Sequence, residues 1–544
     1  MCEKWYNICM EKQVITMDLS SMSREELELN YVQLQTQLEA EKMKVSWLEE
    51  QFRLQRAARF GASSEKALVD FDQMSIFNEA EHICDEAGDA YEPAMVDVVA
   101  PRKKKKCSKN ALTTGLPKER FEFDLTQEEK TCPECGNSLH HVKKVVRKEL
   151  AIIPAKVYVK EYISHVYACR NCQDTGDANP MHTARAPLPL FHGSLASPSI
   201  VADILKRKYV DCVPLYRQEQ DLKRNGLKLT RQTMSNWVIN ASNKYFKSIY
   251  NRMLCKLLEE DIIQADETEL EVLNEPGKEA KSKSYMWLFR TNRESKPIVI
   301  YKYADTRAGI VPGQTLKDFN GYLQTDGYAG YGSVTNRELN PALPVGCFAH
   351  ARRKYCDALK ALPVAEQKNS NTNTSKGIAY CDRIFNIENE ISKLSPKERQ
   401  LVRQQKMLPL LEEYFAWVKS FDTNMLIKSK FRDAIIYSVN QEIPLRNFVL
   451  DGRLECSNNK CERSIKPFVI ARKNFLFCNT PSGADASAIT FSLVETAKEN
   501  NLNIFKYLEY ILDCMSQDNN YDIEKLMPWS DEIPEECRAK IISE

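Results

Sequence analysis

The sequence predicts a multidomain protein of mixed α+β and α/β class. Three observations predict it. An apolar seam advances in alternating steps of four and three through residues 23–58. Two Cys-x-x-Cys pairs stand at 132–135 and 169–172. From residue 260 the pattern turns to period-two alternation, with acids at strand ends. The chain has 544 residues, room for about three to five domains. Lys+Arg is 76 and Asp+Glu is 75, a net charge of +1. That balance excludes a uniformly basic chromatin-type protein and an acidic solvating chain, and leaves nucleic-acid binding to local patches. Hydrophobic residues at 43% and aromatics at 9% supply real cores. Mean hydropathy is −0.47; no apolar run is long enough for a bilayer, so no membrane partner is expected. Glu3, Lys4, Glu11 and Lys12 do not read as a secretory signal. The 18 cysteines are scattered apart from the two pairs. They fit reduced thiols in a cytoplasmic protein, with the pairs reserved for metal.

Residues 1–22 show no defined pattern, and an in-frame Met17 offers an alternative start. Residues 23–60 read as one coiled-coil helix. Ser23 and Glu26 have capping-box spacing. Leu27, Tyr31, Leu34, Leu38, Val45, Leu48 and Phe52 form the seam, broken by Glu41. Pairing with a second copy is favoured over packing on its own domain, because no core lies nearby in sequence. Gly61 ends the helix. Residues 61–120 read as a flexible linker, acidic at first and then basic at Arg102-Lys103-Lys104-Lys105-Lys106. The basic run serves equally as a solvated tether or a phosphate contact.

Residues 121–190 hold Cys132, Cys135, Cys169 and Cys172, joined by strand-like sequence in which Val157 and Val159 alternate with Lys156, Tyr158 and Lys160. Four thiolates close a tetrahedral site with no open position. The expectation is a zinc ribbon whose metal is structural. His140, His141 and His165 are not needed as ligands. Residues 191–255 look helical. Ser197-Pro198 starts one helix, Leu215–Arg224 forms another, Asn225-Gly226 turns, and Thr230 caps a third containing Trp237. This is a helix-turn-helix pattern, in which Arg231, Gln232, Ser235 and Asn236 would reach bases or phosphates; an ordinary helical hairpin fits the pattern equally.

Residues 256–356 begin with three strands, 261–273, 284–290 and 297–303. In the first, Asp266 falls on a half-buried face and Glu267, Glu269 and Glu271 on the water face. A fourth strand ends at Asp326, and a short strand 344–349 leads into a helix from His350. Residues 357–445 are helical and strand-poor and read as an insertion. Residues 446–500 carry Glu462 on a helix with Arg463, Lys466, Arg472 and Lys473, which Pro467 should bend or end. Residues 501–544 form a C-terminal helical tail. Three antiparallel strands followed by acids at strand ends suggest a ribonuclease-H-like core. Asp266, Asp326 and Glu462 make a three-carboxylate set suited to hard divalent cations, and the basic residues nearby would hold phosphates.

At these residues the chain resembles the transposases of the insertion sequence 66 family, bacterial enzymes of the DDE type. The resemblance is carried in order by Phe60-Gly61-Ala62-Ser63-Ser64-Glu65-Lys66, the CPEC and CRNC knuckles, and Gln324-Thr325-Asp326-Gly327-Tyr328. It continues through Cys347-Phe348-Ala349-His350-Ala351-Arg352-Arg353-Lys354, Asp451-Gly452-Arg453-Leu454, Asn458-Asn459, Glu462-Arg463, Arg472-Lys473-Asn474 and Glu495-Thr496-Ala497-Lys498. It implies a catalytic triad of Asp266, Asp326 and Glu462 holding two magnesium or manganese ions. It also implies cleavage and strand transfer at terminal inverted repeats, and accessory proteins encoded by the same element. His350, Arg352 and Arg353 fall in a family motif and read as phosphate or active-site support, or as helix-start packing. Two rival functions are a retired DNA-binding regulator and a structure-specific nuclease of the same fold.

Overall fold

A computed structural model describes residues 157–168 and 181–539, apart from 280, 281, 424, 425, 427 and 519, together with individual helical positions between 24 and 53. The Ser23–Glu26 cap, the linker 61–120 and all four paired cysteines lie outside the described residues. Tyr31, Leu34, Leu38, Val45, Leu48 and Phe52 are helical, and their side chains are exposed.

Strands β1 (Val166–Ala168) and β2 (Met181–Thr183) pair antiparallel, so the second cysteine pair lies between them in sequence. Val157 and Val159 do not form the expected strand. Residues 157–165 carry no strand pairing, and Val157, Tyr158 and Val159 are all exposed. Alternation without a buried face has nothing to hold it in a sheet.

Four helices follow: α1 (Pro198–Tyr209), α2 (Leu215–Arg224), α3 (Arg231–Ala241) and α4 (Lys247–Leu258). Ser197 and Thr230 cap α1 and α3, their side-chain oxygens accepting from Ile200 N and Thr233 N. Between α2 and α3, Gly226 takes φ +85°, where a side chain would be strained.

The main sheet has five strands: β3 (Ile262–Glu271), β4 (Lys283–Thr291), β5 (Val299–Ala304), β6 (Tyr322–Gln324) and β7 (Leu343–Val345). Their order is β5-β4-β3-β6-β7. β3, β4 and β5 pair antiparallel, while β3-β6 and β6-β7 pair parallel. β7 is shorter than the expected 344–349, because α5 (Phe348–Ala361) begins two residues before His350.

Helices α6 (Asn373–Ile391), α7 (Leu408–Lys419) and α8 (Lys430–Asn440) pack with α5 around Phe348, Tyr355, Tyr380 and Tyr414, a second core that, among the described residues, touches the main sheet only at Ile262, Tyr322 and Val345. Arg403 threads this region. Its guanidinium pairs with Glu388 at 2.6 Å, both side chains 1% exposed. It also donates to the carbonyls of Phe448, Asp451 and Leu454 at 3.0, 3.0 and 2.9 Å, which sets the course of the chain toward α9 (Asn459–Phe475). Gly452 lies on this path, and a Cβ there would meet Pro396 O at 1.7 Å.

Of the bend or end expected at Pro467, the end does not occur: α9 runs through it to Phe475. Ile465, Phe468 and Ala471 on either side of it are buried, and the Tyr301 hydroxyl donates to Ser464 O. Packing on the sheet offsets the one helical bond that proline removes. Helix α10 (Pro481–Glu499) covers edge strand β5, and α11 (Ile504–Gln517) packs beyond it. No helix among the described residues is long and apolar enough to cross a membrane.

Candidate active site

The site starts from strand register. Parallel pairing sets Gln264 of β3 opposite Gln324 of β6. Two residues further along stand Asp266 and Asp326, so two neighbouring chains about 4.8 Å apart carry the same Gln-x-Asp triplet in step. The glutamines bind one another, Gln264 Nε2 donating to Gln324 Oε1 at 3.0 Å.

The same amides locate the start of α9. Gln324 Nε2 donates to Glu455 O at 2.6 Å and Ser457 O at 3.2 Å. Gln264 Nε2 donates to Glu455 Oε2 at 2.8 Å. Asn458 Nδ2 donates to Ala265 O at 2.9 Å, next to Asp266. These buried polar groups have few alternative partners, so the geometry is tightly specified. Glu462 lies one turn into α9 and is thereby brought to the two aspartates.

Burial, and then the charges of Glu267, Asp326 and Glu462, hold the Asp266 carboxyl well above the usual carboxylate range. Asp266 Oδ1 accepts from Glu267 N at 2.8 Å, and Asp326 Oδ1 from Tyr328 N at 2.9 Å. Among the described residues neither aspartate has an ion-pair partner. Carboxylates crowded in this way are relieved by a bound dication, and an all-oxygen donor set suits magnesium or manganese. The residues present therefore fit the ions that the sequence implied.

Glu462 has its own partners. Arg353 Nη2 donates to its Oε2 at 3.2 Å. His350 Nδ1 stands 3.6 Å from its Oε1. Both of those atoms are buried without a hydrogen-bond partner. Burial lowers the His350 pKa and Arg353 lowers it further, against the raising charges of Glu462 and Asp326.

Glu267 departs from expectation. Its side chain is 2% exposed rather than in water. Oε1 accepts from Arg307 Nη2 at 2.7 Å and Oε2 from the Tyr331 hydroxyl at 2.7 Å. The sheet is covered on both faces near this point, since the adjacent Gln264 and Ala265, on opposite faces of β3, are both buried. Glu269 and Glu271 are exposed as expected.

Arg352 is not brought to the carboxylates. It is buried, and its Nε donates to Asp382 Oδ1 of α6 at 2.7 Å. On α5 the following residue faces the site, and one helical step separates the two directions. Arg463, Lys466 and Lys473 are exposed on α9, and Arg472 Nη1 donates to Glu269 O. Arg231, Gln232 and Asn236 are exposed on α3 and Ser235 is partly so.

The sequence reading assigned no role to Gln264, Gln324, Asn458, Glu267 or Cys347. The repeated Gln-x-Asp was a usable signal for the first two. Nothing local marks Glu267 as buried.

A mixed α/β sheet with clustered acids now meets its relatives. Residues 193–486 match the family model described as Transposase IS66 family. Residues 129–173 match the zinc-finger binding domain of transposase IS66, 492–529 the IS66 C-terminal element, and 47–120 Transposase C of IS166 homeodomain. The chain is thus of the DDE transposase class, with zinc-binding and helical N-terminal regions. It belongs to the IS66 transposase family. Relatives in Sinorhizobium fredii (strain NBRC 101917 / NGR234) carry names without a function. "Uncharacterized protein y4jD" is 28% identical over 428 residues, 76% of this chain and 81% of the relative. "Uncharacterized protein y4qI" is 30% identical over 359 residues, 64% of this chain and 65% of the relative.

Proposed function

We propose that the protein binds the terminal inverted repeats of an insertion sequence and catalyses metal-dependent cleavage and strand transfer there, on a ribonuclease-H-like core. Asp266, Asp326 and Glu462 hold two magnesium or manganese ions. Bound ions of this kind activate an attacking oxygen and stabilise the leaving one in phosphodiester displacement. The observation that supports the reading is the placing of Asp266 and Asp326 two residues beyond the paired Gln264 and Gln324, with Glu462 one turn into the helix whose approach those amides and Asn458 hold.

The protein's own residues supply the rest. The paired glutamines and Asn458 keep the acids in register. Arg353 and His350 orient Glu462. Arg463, Lys466, Arg472 and Lys473 extend from the site along α9 and hold phosphates. Arg231, Gln232, Ser235 and Asn236 on α3 contact repeat DNA after the helix-turn-helix manner. Cys132, Cys135, Cys169 and Cys172 hold a structural zinc. The exposed seam of the N-terminal helix joins two copies, which work on DNA in the bacterial cytoplasm with accessory proteins of the element.

Asp326→Asn tests the assignment. Cleavage of a repeat-bearing duplex in magnesium should fall by at least about a thousandfold, the loss of several kcal/mol of transition-state stabilisation. Binding of the same duplex in a gel-shift assay should be unchanged. Cleavage by the variant at wild-type rate removes Asp326 from the reaction.

A further inference from the structure

Beside the carboxylates stands a second set of ligand atoms with different chemistry. Cys347, His350 and Glu462 each offer one donor, a sulfur, a ring nitrogen and a carboxylate oxygen, and the three lie within 4.8 Å of one another. Local structure explains the grouping. Cys347 is the N-cap residue of α5 and His350 sits in the first turn, so the two project from one helix start. Glu462 faces them from the first turns of α9. Hydrogen bonds clamp the two helix starts together, Asn458 N donating to Cys347 Sγ at 3.1 Å and Phe348 N to Cys456 O at 2.9 Å.

Two of the three donors have no other occupation. His350 Nδ1 and Glu462 Oε1 are buried, face each other at 3.6 Å and make no hydrogen bond. Buried polar atoms without partners are uncommon and costly. A shared cation would satisfy both, and the sulfur supplies a third ligand.

We propose that Cys347, His350 and Glu462 form a binding site for a zinc-class divalent cation, separate from the all-oxygen site at the aspartates, and that the two sites compete for Glu462. A thiolate, an imidazole and a carboxylate are the donor types that zinc takes, with a fourth position open, whereas magnesium prefers oxygen alone. Cys347 enters as a thiol and releases its proton to solvent when the ion binds. The backbone N–H of Asn458 then serves the sulfur. Occupancy by zinc would withdraw Glu462 from the aspartates and slow the reaction, a consequence that rests on the catalytic reading above. The binding itself does not rest on it.

Cadmium reports thiolate ligation directly by charge-transfer absorption. The full-length apoprotein and Cys347→Ser would be titrated side by side, so that every other thiol cancels in the difference. The wild type should reach an amplitude larger by one thiolate's share. Glu462→Gln and His350→Gln should each keep Cys347 and weaken that increment at least tenfold in affinity. They also decide the matter should Cys347→Ser fail to give a native far-ultraviolet spectrum. Equal amplitudes, or affinities unmoved in both glutamine variants, overturn the site whether or not the protein cuts DNA. A Cys347-dependent increment supports it on the same terms. Zinc added to a magnesium-supported cleavage assay should then lower the wild-type rate at least tenfold.

Discussion

Gln324 shows how much one uncharged side chain can govern. Its amide joins β6 to β3 through Gln264 and to the approach of α9 through two carbonyls. Gln324→Leu keeps the volume and leaves those carbonyls buried without a donor, a cost of about 1–3 kcal/mol. The denaturant midpoint should fall accordingly. Because Glu462 loses its anchor, kcat should drop more than KM rises, which a purely structural loss would not produce. Asp451 gives a second test at this scale, in pH. Burial would raise its carboxyl, but hydrogen bonds from Arg453 and the charges of Arg453 and Arg403 outweigh this and hold it below the usual range. A depressed folded pKa contributes stability above the unfolded value of about 3.9, and that contribution disappears as pH falls through the folded value. The stability gap between wild type and Asp451→Asn, read from urea midpoints, should therefore narrow on acidification from pH about 6 to below about 3.9. A gap that widens on acidification rejects this account of Asp451.

At the scale of elements, α10 solves a problem created by the sheet. β5 is an edge strand, and bare edges invite pairing with other chains. Thr496 Oγ1 accepts from Val299 N at 3.0 Å and donates to Val299 O at 3.1 Å. Ser492 Oγ accepts from Tyr301 N at 2.7 Å. Asn500 Nδ2, just past the helix, donates to Pro297 O at 2.9 Å. These positions are four apart, so one helical face meets alternate residues of the strand. Thr496 belongs to a motif that the sequence marked without a reason, and this edge ladder is the reason. Thr496→Val preserves shape and removes the hydroxyl, and should cost about 1–3 kcal/mol in chemical denaturation. A change within measurement error would show that the ladder contributes nothing.

For the whole molecule, the described residues hold two hydrophobic cores. One spans the main sheet, α1, α3, α4 and α9–α11; the other lies among α5–α8. The carboxylates stand near where these meet, because Cys347 of the second core accepts from Asn458 N at the start of α9, whose Cys461 belongs to the first. Neither core reaches Leu38 or Leu48, which are 55% and 59% exposed. On the proposed pairing of two copies through this seam, Leu38→Lys with Leu48→Lys should leave the cores folded and abolish dimers in sedimentation velocity. Dimers that persist unchanged place the contact elsewhere.

What the sequence by itself determined was local or periodic. Two-residue alternation located β3, cap residues located α1 and α3, and the acid at the start of α9 is legible there. Such signals need only neighbours along the chain. The burial of Glu267, the turning of Arg352 toward Asp382, the survival of α9 through Pro467 and the meeting of Cys347 with Glu462 were decided by tertiary structure alone. Each depends on which surface, brought from more than a strand's length away in sequence, covers the residue. Burial and charge are properties of that surface, and no period in the chain encodes them.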